Sequence, residues 1–308
     1  MKFAYRTAFV ILIAFIIACP QKFRKGNKPG AESPKVLLRY KFPPGGVSVY
    51  RVDEETVNRF NISTVQAIQE VKVVSSMLVN EKVVQGLMGD YAMLERSVKS
   101  LQMKVWKEND LMFDSDRWKE FSDTPEAGVY LIIVKEVTRY EVDQFGKMRR
   151  AAGASEIDLS SDMVDSMQTV HTGNPILPRE EVSPGKSWKE RRDIPIKSEQ
   201  GYKGVMKVNE VMSLKGIGVE GGRKIAYLSL KRDLIINLYE PGNNMPWKGF
   251  NGKGEMLGNY SFDIAEGRIT GSETRTTIHV STRAGKPPSS LETSLDLNIA
   301  SKSSLQRN

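Results

Sequence analysis

The sequence predicts a mainly β protein, a β-rich α+β chain built as two similar antiparallel sheets, curved or half-barrel in form, with a few short helices. Three observations predict it. Short runs alternating apolar and polar residues recur between Gly- and Pro-bearing turns, the mark of half-buried strands. The Pro-Gly turn and aromatic-bearing strand at Pro43–Tyr50 return at Val182–Lys189. Helix starts are scarce, and Thr124-Pro125-Glu126 is the clearest, with a capping Thr, Pro at the first helical position and an acid in the first turn.

In order, Val36, Leu38, Tyr40 and Phe42 share one face of a first strand, with Arg39 and Lys41 on the other. Pro43-Pro44-Gly45-Gly46 turns the chain into a return strand from Val47. β-branched residues from Thr56 to Val74 continue extended structure, although residues 65–84 also fit a helix. A glycine-bearing loop at 85–90 leads to strands over 91–106, and a short helix follows from Pro125 to about Ile133. A strand over 138–142 reaches a turn at 144–147, and Ser160-Ser161-Asp162 caps a second short helix. The second half predicts strands over 202–214, 224–239, 255–264, 268–282 and 291–299, with a glycine-rich loop at 216–222 and irregular chain over 240–254. The organisation is therefore a β-rich half over 36–155, a junction over 156–181, a second half over 182–300 and a disordered tail over 301–308.

Ahead of this body lies an apolar leader. Lys2 and Arg6 precede Ala8–Ala18, which contains no polar or charged residue. At about 1.5 Å per residue these residues span about half of the roughly 30 Å hydrocarbon core, which is signal-peptide length and too short for a transmembrane helix. The leader ends in Ile16-Ile17-Ala18-Cys19. This resembles the bacterial lipobox, which implies cleavage between Ala18 and Cys19 and acylation of Cys19; an ordinary secretory site that includes a cysteine is the alternative. Cys19 is the only cysteine, so the mature chain carries no disulfide or thiolate metal site.

The net charge of +8 is unevenly placed. Two of those charges leave with the leader, and Lys22, Arg24, Lys25 and Lys28 sit in a Pro- and Gly-bearing tether over 19–35. Such a linker is flexible and can attract anionic headgroups beside an acyl anchor. No basic run with interleaved aromatics marks a nucleic-acid track, and no nucleic-acid partner is expected.

Pro43-Pro44-Gly45 before Val49-Tyr50-Arg51-Val52, Phe113-Asp114-Ser115, Val182–Trp188, and Gly252-Lys253-Gly254 before Phe262–Gly267 occur in that order. With the lipobox they resemble an uncharacterised family of bacterial lipoproteins with a two-part β-rich domain. The resemblance covers about residues 36–282 and implies fold and envelope address; it brings no activity and no catalytic residue.

The chemistry motifs read as structure. Gly216-Ile217-Gly218-Val219-Glu220-Gly221 fits G-x-G-x-x-G but precedes a strand, where a dinucleotide site needs a helix. Gly185-Lys186-Ser187 lacks the earlier glycine of a phosphate loop, and Ser183-Pro184-Gly185-Lys186 reads as a turn. His171 and His279 are the only histidines, with no H-E-x-x-H and no G-x-S-x-G, so no metal, cofactor or catalytic residue is assigned. Asp114 and Asp116 read as solvated loop acids. Trp106, Trp188 and Trp247, with thirteen methionines in the chain, are candidates to line an apolar cleft in a concave sheet face, against ordinary core packing. The expectation is a non-enzymatic binding or structural module anchored in the envelope, with a carrier of lipid or another hydrophobic ligand and a carboxylate-dependent hydrolase as alternatives. Pro20 after the cysteine, in place of a retention Asp, favours the outer over the inner membrane.

Overall fold

The structure is a computed structural model that describes residues 34–62, 67–150, 175–197, 203–239, 247–284 and 291–306. Cys19, the tether up to residue 33, His171 and the helix expected at Ser160 lie outside the described residues. Twelve strands form one antiparallel sheet: β1 (Val47–Ile62), β2 (Ala67–Met88), β3 (Tyr91–Lys107), β4 (Asp110–Asp114), β5 (Val137–Asp143), β6 (Met148–Arg150), β7 (Ser187–Lys197), β8 (Lys203–Glu220), β9 (Arg223–Tyr239), β10 (Trp247–Asp263), β11 (Arg268–Ala284) and β12 (Leu291–Gln306). The order is β6-β5-β3-β2-β1-β12-β11-β10-β9-β8-β7, with β4 paired to the far end of β3. The β-rich antiparallel class is the expected one. The two halves, however, share a single sheet, because β1 and β12 pair from Val49↔Gln306 to Ile62↔Thr293.

That seam corrects the C-terminal reading. Residues 301–306, expected as a disordered tail, end β12 at the centre of the sheet, with Ser301 and Ser303 buried. The loop expected at 216–222 shrinks to a turn at Gly221–Gly222, and the irregular chain expected up to Gly254 is strand from Trp247. Gly252 and Gly254 sit there against Val280, Ile236 and Ile278, where a Cβ would come within 2.9–3.3 Å of those side chains. They are spacers for β-branched neighbours and not loop markers. Residues 67–88 are strand, which disposes of the helical alternative.

One face of the sheet holds the core. Two short helices follow β4: α1 (Trp118–Phe121) and α2 (Pro125–Lys135), the latter capped by Thr124, whose side chain accepts from the Ala127 amide. Ala127, Val129 and Ile133 of α2 cover Val73, Met77, Met103, Val105 and Phe113. Across the second half the cover is chain without regular structure. The segment expected as the first strand, residues 36–42, has the predicted alternation, with Leu38 and Tyr40 buried, but only Val36 forms a β bridge, to Val182. Two further amides go to turns: Tyr40 N–H donates to Gln144 O (2.9 Å) and Lys41 N–H to Gly267 O (2.9 Å). It is a strap laid across the sheet end, packed with Leu177 on Met212, Leu214, Leu228, Tyr260 and Phe262.

Two turns are shaped to receive the strap. Asp143 and Asp263 each accept two backbone amides of the turn that follows, Phe145 and Lys147 in one case and Ala265 and Glu266 in the other. Each turn carries a glycine at positive φ, Gly146 (+90°) and Gly267 (+64°), a region that costs other residues strain. A Cβ on Gly267 would also lie 2.7 Å from the Arg39 carbonyl oxygen.

Candidate functional site

The solvent face of the central strands forms a broad trough of about 1060 Å³. Because side chains alternate along a strand, its floor is built from residues whose neighbours point into the core: Asp53 and Glu55 on β1, Arg275 on β11, Lys302 on β12, Lys231 on β9 and Lys215 on β8. The lining carries five bases and five acids, so the trough has no single-sign field. Some of these charges are matched. Lys231 is bound by Glu255 at 2.7 Å and Asp233 at 3.7 Å, and the hydrogen bond to Glu255, then the two negative charges, raise its ammonium above the usual lysine range. Asp53 pairs with Arg51 and accepts from Ser76, and Glu55 pairs with Lys72 at 2.9 Å. Lys215, Arg275 and Lys302 form no ion pair among the described residues. Leu257, 47% exposed, gives the trough an apolar patch between Lys231 and Arg275 on the neighbouring strands.

On the core face, the cavity beneath the strap measures about 130 Å³ and is lined in part by Tyr50, Glu81, Arg96, Tyr260, Ser272 and Ser303. Glu81 holds Arg96 at 2.8 Å and accepts from Tyr140 at 2.5 Å. Burial raises the phenols of Tyr50, Tyr140 and Tyr260 well above the ordinary tyrosine value. Further along this face lies a second charged cluster. Arg232 on β9, fully buried, donates to Glu210 on β8 from Nε (2.9 Å) and Nη2 (2.7 Å), and Arg192 on β7 reaches the same carboxylate at 3.3 Å. Burial lowers the Arg192 pKa, and the neighbouring Arg232 charge adds to the effect.

Trp106 and Trp188 are not brought together. Trp188 packs in the core beside the strap and donates from Nε1 to Ile176 O at 2.7 Å. Trp106 is half-buried on β3, with seven strands between it and β7 in the sheet order, and Trp247 opens β10 opposite Ala284. Neither Trp106 nor Trp188 lines the trough or the strap cavity. Asp114, expected as a solvated loop acid, is buried and caps the Asp116 amide. Burial alone would raise its carboxyl; Lys104 at 3.1 Å, that amide and Arg117 outweigh it and hold the group below the usual range. His279 lies on the wet face, as its alternation implies, with Nδ1 2.6 Å from Asp296. Ser183-Pro184-Gly185-Lys186 forms the expected turn, Lys186 N–H donating to Ser183 O (3.1 Å). Gly216 and Gly218 of the G-x-G-x-x-G match lie inside β8, Gly218 against the Tyr227 ring. Among the described residues no group of three or more His, Cys, Asp or Glu could hold a metal, and no helix is long and apolar enough to cross a membrane.

No protein-family model and no curated protein sequence matches the chain. Among solved structures, a lipovitellin determined for its lipid–protein interactions aligns over 87% of this chain and 26% of its own length, at 10% identity and a TM-score of 0.45. This chain thus spans about a quarter of that protein. OpdQ from Pseudomonas aeruginosa aligns over 85% of this chain and 99% of its own (5% identity, TM-score 0.26), and an outer membrane channel from Pseudomonas putida F1 over 91% and 100% (7%, TM-score 0.19). Likenesses this low carry no functional argument to the present chain.

Proposed function

We propose that the chain is an acyl-anchored protein of the bacterial envelope, in the outer membrane by preference, that binds a partner without chemistry through the trough on the solvent face of its sheet. The observation that carries this reading is the trough itself: three cations without ion pairs among the described residues, matched acids and an apolar Leu257 converge from five strands on one open surface. Mixed polar surface around an apolar patch suits a protein partner better than a polyanion. A carboxylate-dependent hydrolase gains no support from Asp114, whose pKa moves downward, opposite to what a general acid needs. A hydrophobic cargo on the core face would share it with α2 and the strap, and the 130 Å³ cavity there equals about four water volumes.

Two measurements test the two parts. Metabolic labelling with a fatty-acid analogue marks the wild-type chain, and Cys19→Ala abolishes both label and membrane partitioning; unchanged labelling overturns the anchor. A photocrosslinking residue at position 257 in intact cells gives a discrete adduct that Arg275→Glu with Lys302→Glu removes, whereas position 137, on β5, gives none. Absence of that adduct, or its persistence in the charge-reversed protein, overturns the trough.

A further inference from the structure

Exposed large apolar side chains are concentrated at one end of this sheet. Of the eleven among the described residues, six lie at the end where the strap crosses: Leu37, Val47, Val84, Leu87, Met88 and Val219. Four of these belong to one corner. Val84, Leu87 and Met88 end β2 just before its turn into β3, and Val47 opens β1 opposite Lys82, two positions from Val84. Met88 is 69% exposed, and Val219, at the β8–β9 hairpin tip of the same end, is 70% exposed. Tips that merely close a hairpin in water carry Gly, Asn and Asp, as Gly89-Asp90 does here; the aliphatic residues around it need another explanation.

The place where the chain enters the fold supplies one. The strap comes in at Val36, bridged to Val182, crosses the turns at Gln144 and Gly267, and docks on this hairpin through Gly45 N–H to Val83 O (3.0 Å) and Val83 N–H to Gly46 O (2.8 Å). Residues 19–33 precede it. A random coil of fifteen residues has a root-mean-square end-to-end distance of roughly 20 Å, and on that length an acyl group on Cys19 keeps this end, and not the opposite one, beside the bilayer. Aliphatic tips with a lysine at their flank match an interfacial layer, where apolar side chains enter and ammonium groups stay with the headgroups.

We infer that the strap end is a membrane-apposed face, and that Val84, Leu87 and Met88 enter the lipid interface beside the anchor. The inference rests on the acyl-anchor reading above. The acyl chains supply the affinity, and the tip supplies orientation. With strand rise near 3.3 Å, the trough residues Asp53 and Glu55, which pair with Ser76 and Val74 well along β2 from Val84, then stand roughly 25–35 Å out from the lipid, presented to a partner at a fixed height.

Met88→Cys and Leu257→Cys, each made in the full chain and expressed in a bacterium, test this. The new thiol carries an environment-sensitive fluorophore in isolated membranes, and peptide mapping shows whether Cys19 is also labelled. The expected result is that the probe at 88 is quenched several-fold more by shallow nitroxide lipids than the probe at 257 and is shielded from aqueous iodide. Adding Val84→Gln and Leu87→Gln reduces that lipid quenching at least twofold. Equal iodide quenching at 88 and 257 overturns the inference. Shielding at 88 from both quenchers also overturns it, since a protein or a second copy then covers the tip. Labelling of Cys19 marks failure of the anchor reading and is scored separately from where residue 88 sits.

Discussion

The buried pair of Arg232 and Glu210 is the sharpest test of how this sheet is held together. The two residues face each other directly on β9 and β8, at 0% and 1% side-chain exposure, joined by two hydrogen bonds of 2.9 and 2.7 Å. Glu210→Gln leaves the Arg232 guanidinium charged, buried and short of its counter-ion, a situation that costs about 3–5 kcal/mol. Arg232→Met strands Glu210 less severely, because Arg192 remains 3.3 Å away and is itself 21% exposed. The double variant Glu210→Met with Arg232→Met removes both charges among apolar neighbours (Val208, Met212, Leu230, Leu234 and Met256) and is expected to recover at least about 2 kcal/mol of the summed single losses. At about 2–4 °C per kcal/mol for a chain of this size, Glu210→Gln lowers Tm by roughly 6–20 °C. Urea unfolding of the four proteins at neutral pH gives the cycle directly. Additivity within about 0.5 kcal/mol, or a Glu210→Gln cost below about 1 kcal/mol, would refute the reasoning.

Three further outcomes follow from the same geometry. Ending the chain at Ala300 removes the pairing of Ser301–Gln306 with β1 and β11; at about 0.5–1.5 kcal/mol per hydrogen bond the loss is several kcal/mol, read as a lowered urea midpoint, whereas a disordered tail would leave it unchanged. Gly267→Ala meets both a positive φ and the Arg39 carbonyl, and is expected to cost about 1–3 kcal/mol by differential scanning calorimetry, while Gly89→Ala, with open space around it, pays only for its φ. Burial raises the pKa of Tyr40, Tyr50, Tyr140 and Tyr260 in the folded state, so their contribution is complete below about pH 10 and falls as the solution becomes more alkaline, because the unfolded chain gives up those protons first. Tyrosinate absorbance from these residues should therefore appear together with unfolding; tyrosinate forming in a still-folded protein would contradict the assignment.

The sequence makes the strands of this protein legible because alternation is local, and the partners illegible because pairing is not. Residues 36–42 show the distinction. Leu38 and Tyr40 face the core as their spacing implies, yet the run makes one bridge, since its neighbours are turns and not an edge strand. Glycine misled twice, at 216–218 and 252–254, where it makes room for Tyr227, Val280 and Ile278 within strands. The Ser-rich end of the chain reads as a tail only if the core face is assumed to be apolar. The trough left no trace because its charges are scattered over β1, β8, β9, β11 and β12 as ordinary solvent-face residues, and only the pairing of β1 with β12 gathers them. The two Asp-headed turns were within reach, since Asp143 and Asp263 each stand three or four residues before a glycine.

The same seam sets where the sheet is weakest. Its core face near the strap is lined by Glu54, Ser272, Thr274, Ser301 and Ser303, whereas further along the same strands it is lined by Ile278, Leu297 and Ile299. Among the described residues, the buried Oγ atoms of Ser272 and Ser303 have no protein hydrogen-bond partner, and both line the strap cavity rather than packed apolar core. Apolar burial at about 25 cal/mol per Å² therefore supports one end of β12 and is largely missing from the other. Within this single strand, then, the amides of Ser301 and Ser303 should exchange with solvent deuterium well before those of Leu297 and Ile299, although both sets lie in the same ladders with β1 and β11. Equal protection along β12 would mean that backbone pairing alone carries the junction between the halves, and that the hydroxyl lining weakens nothing.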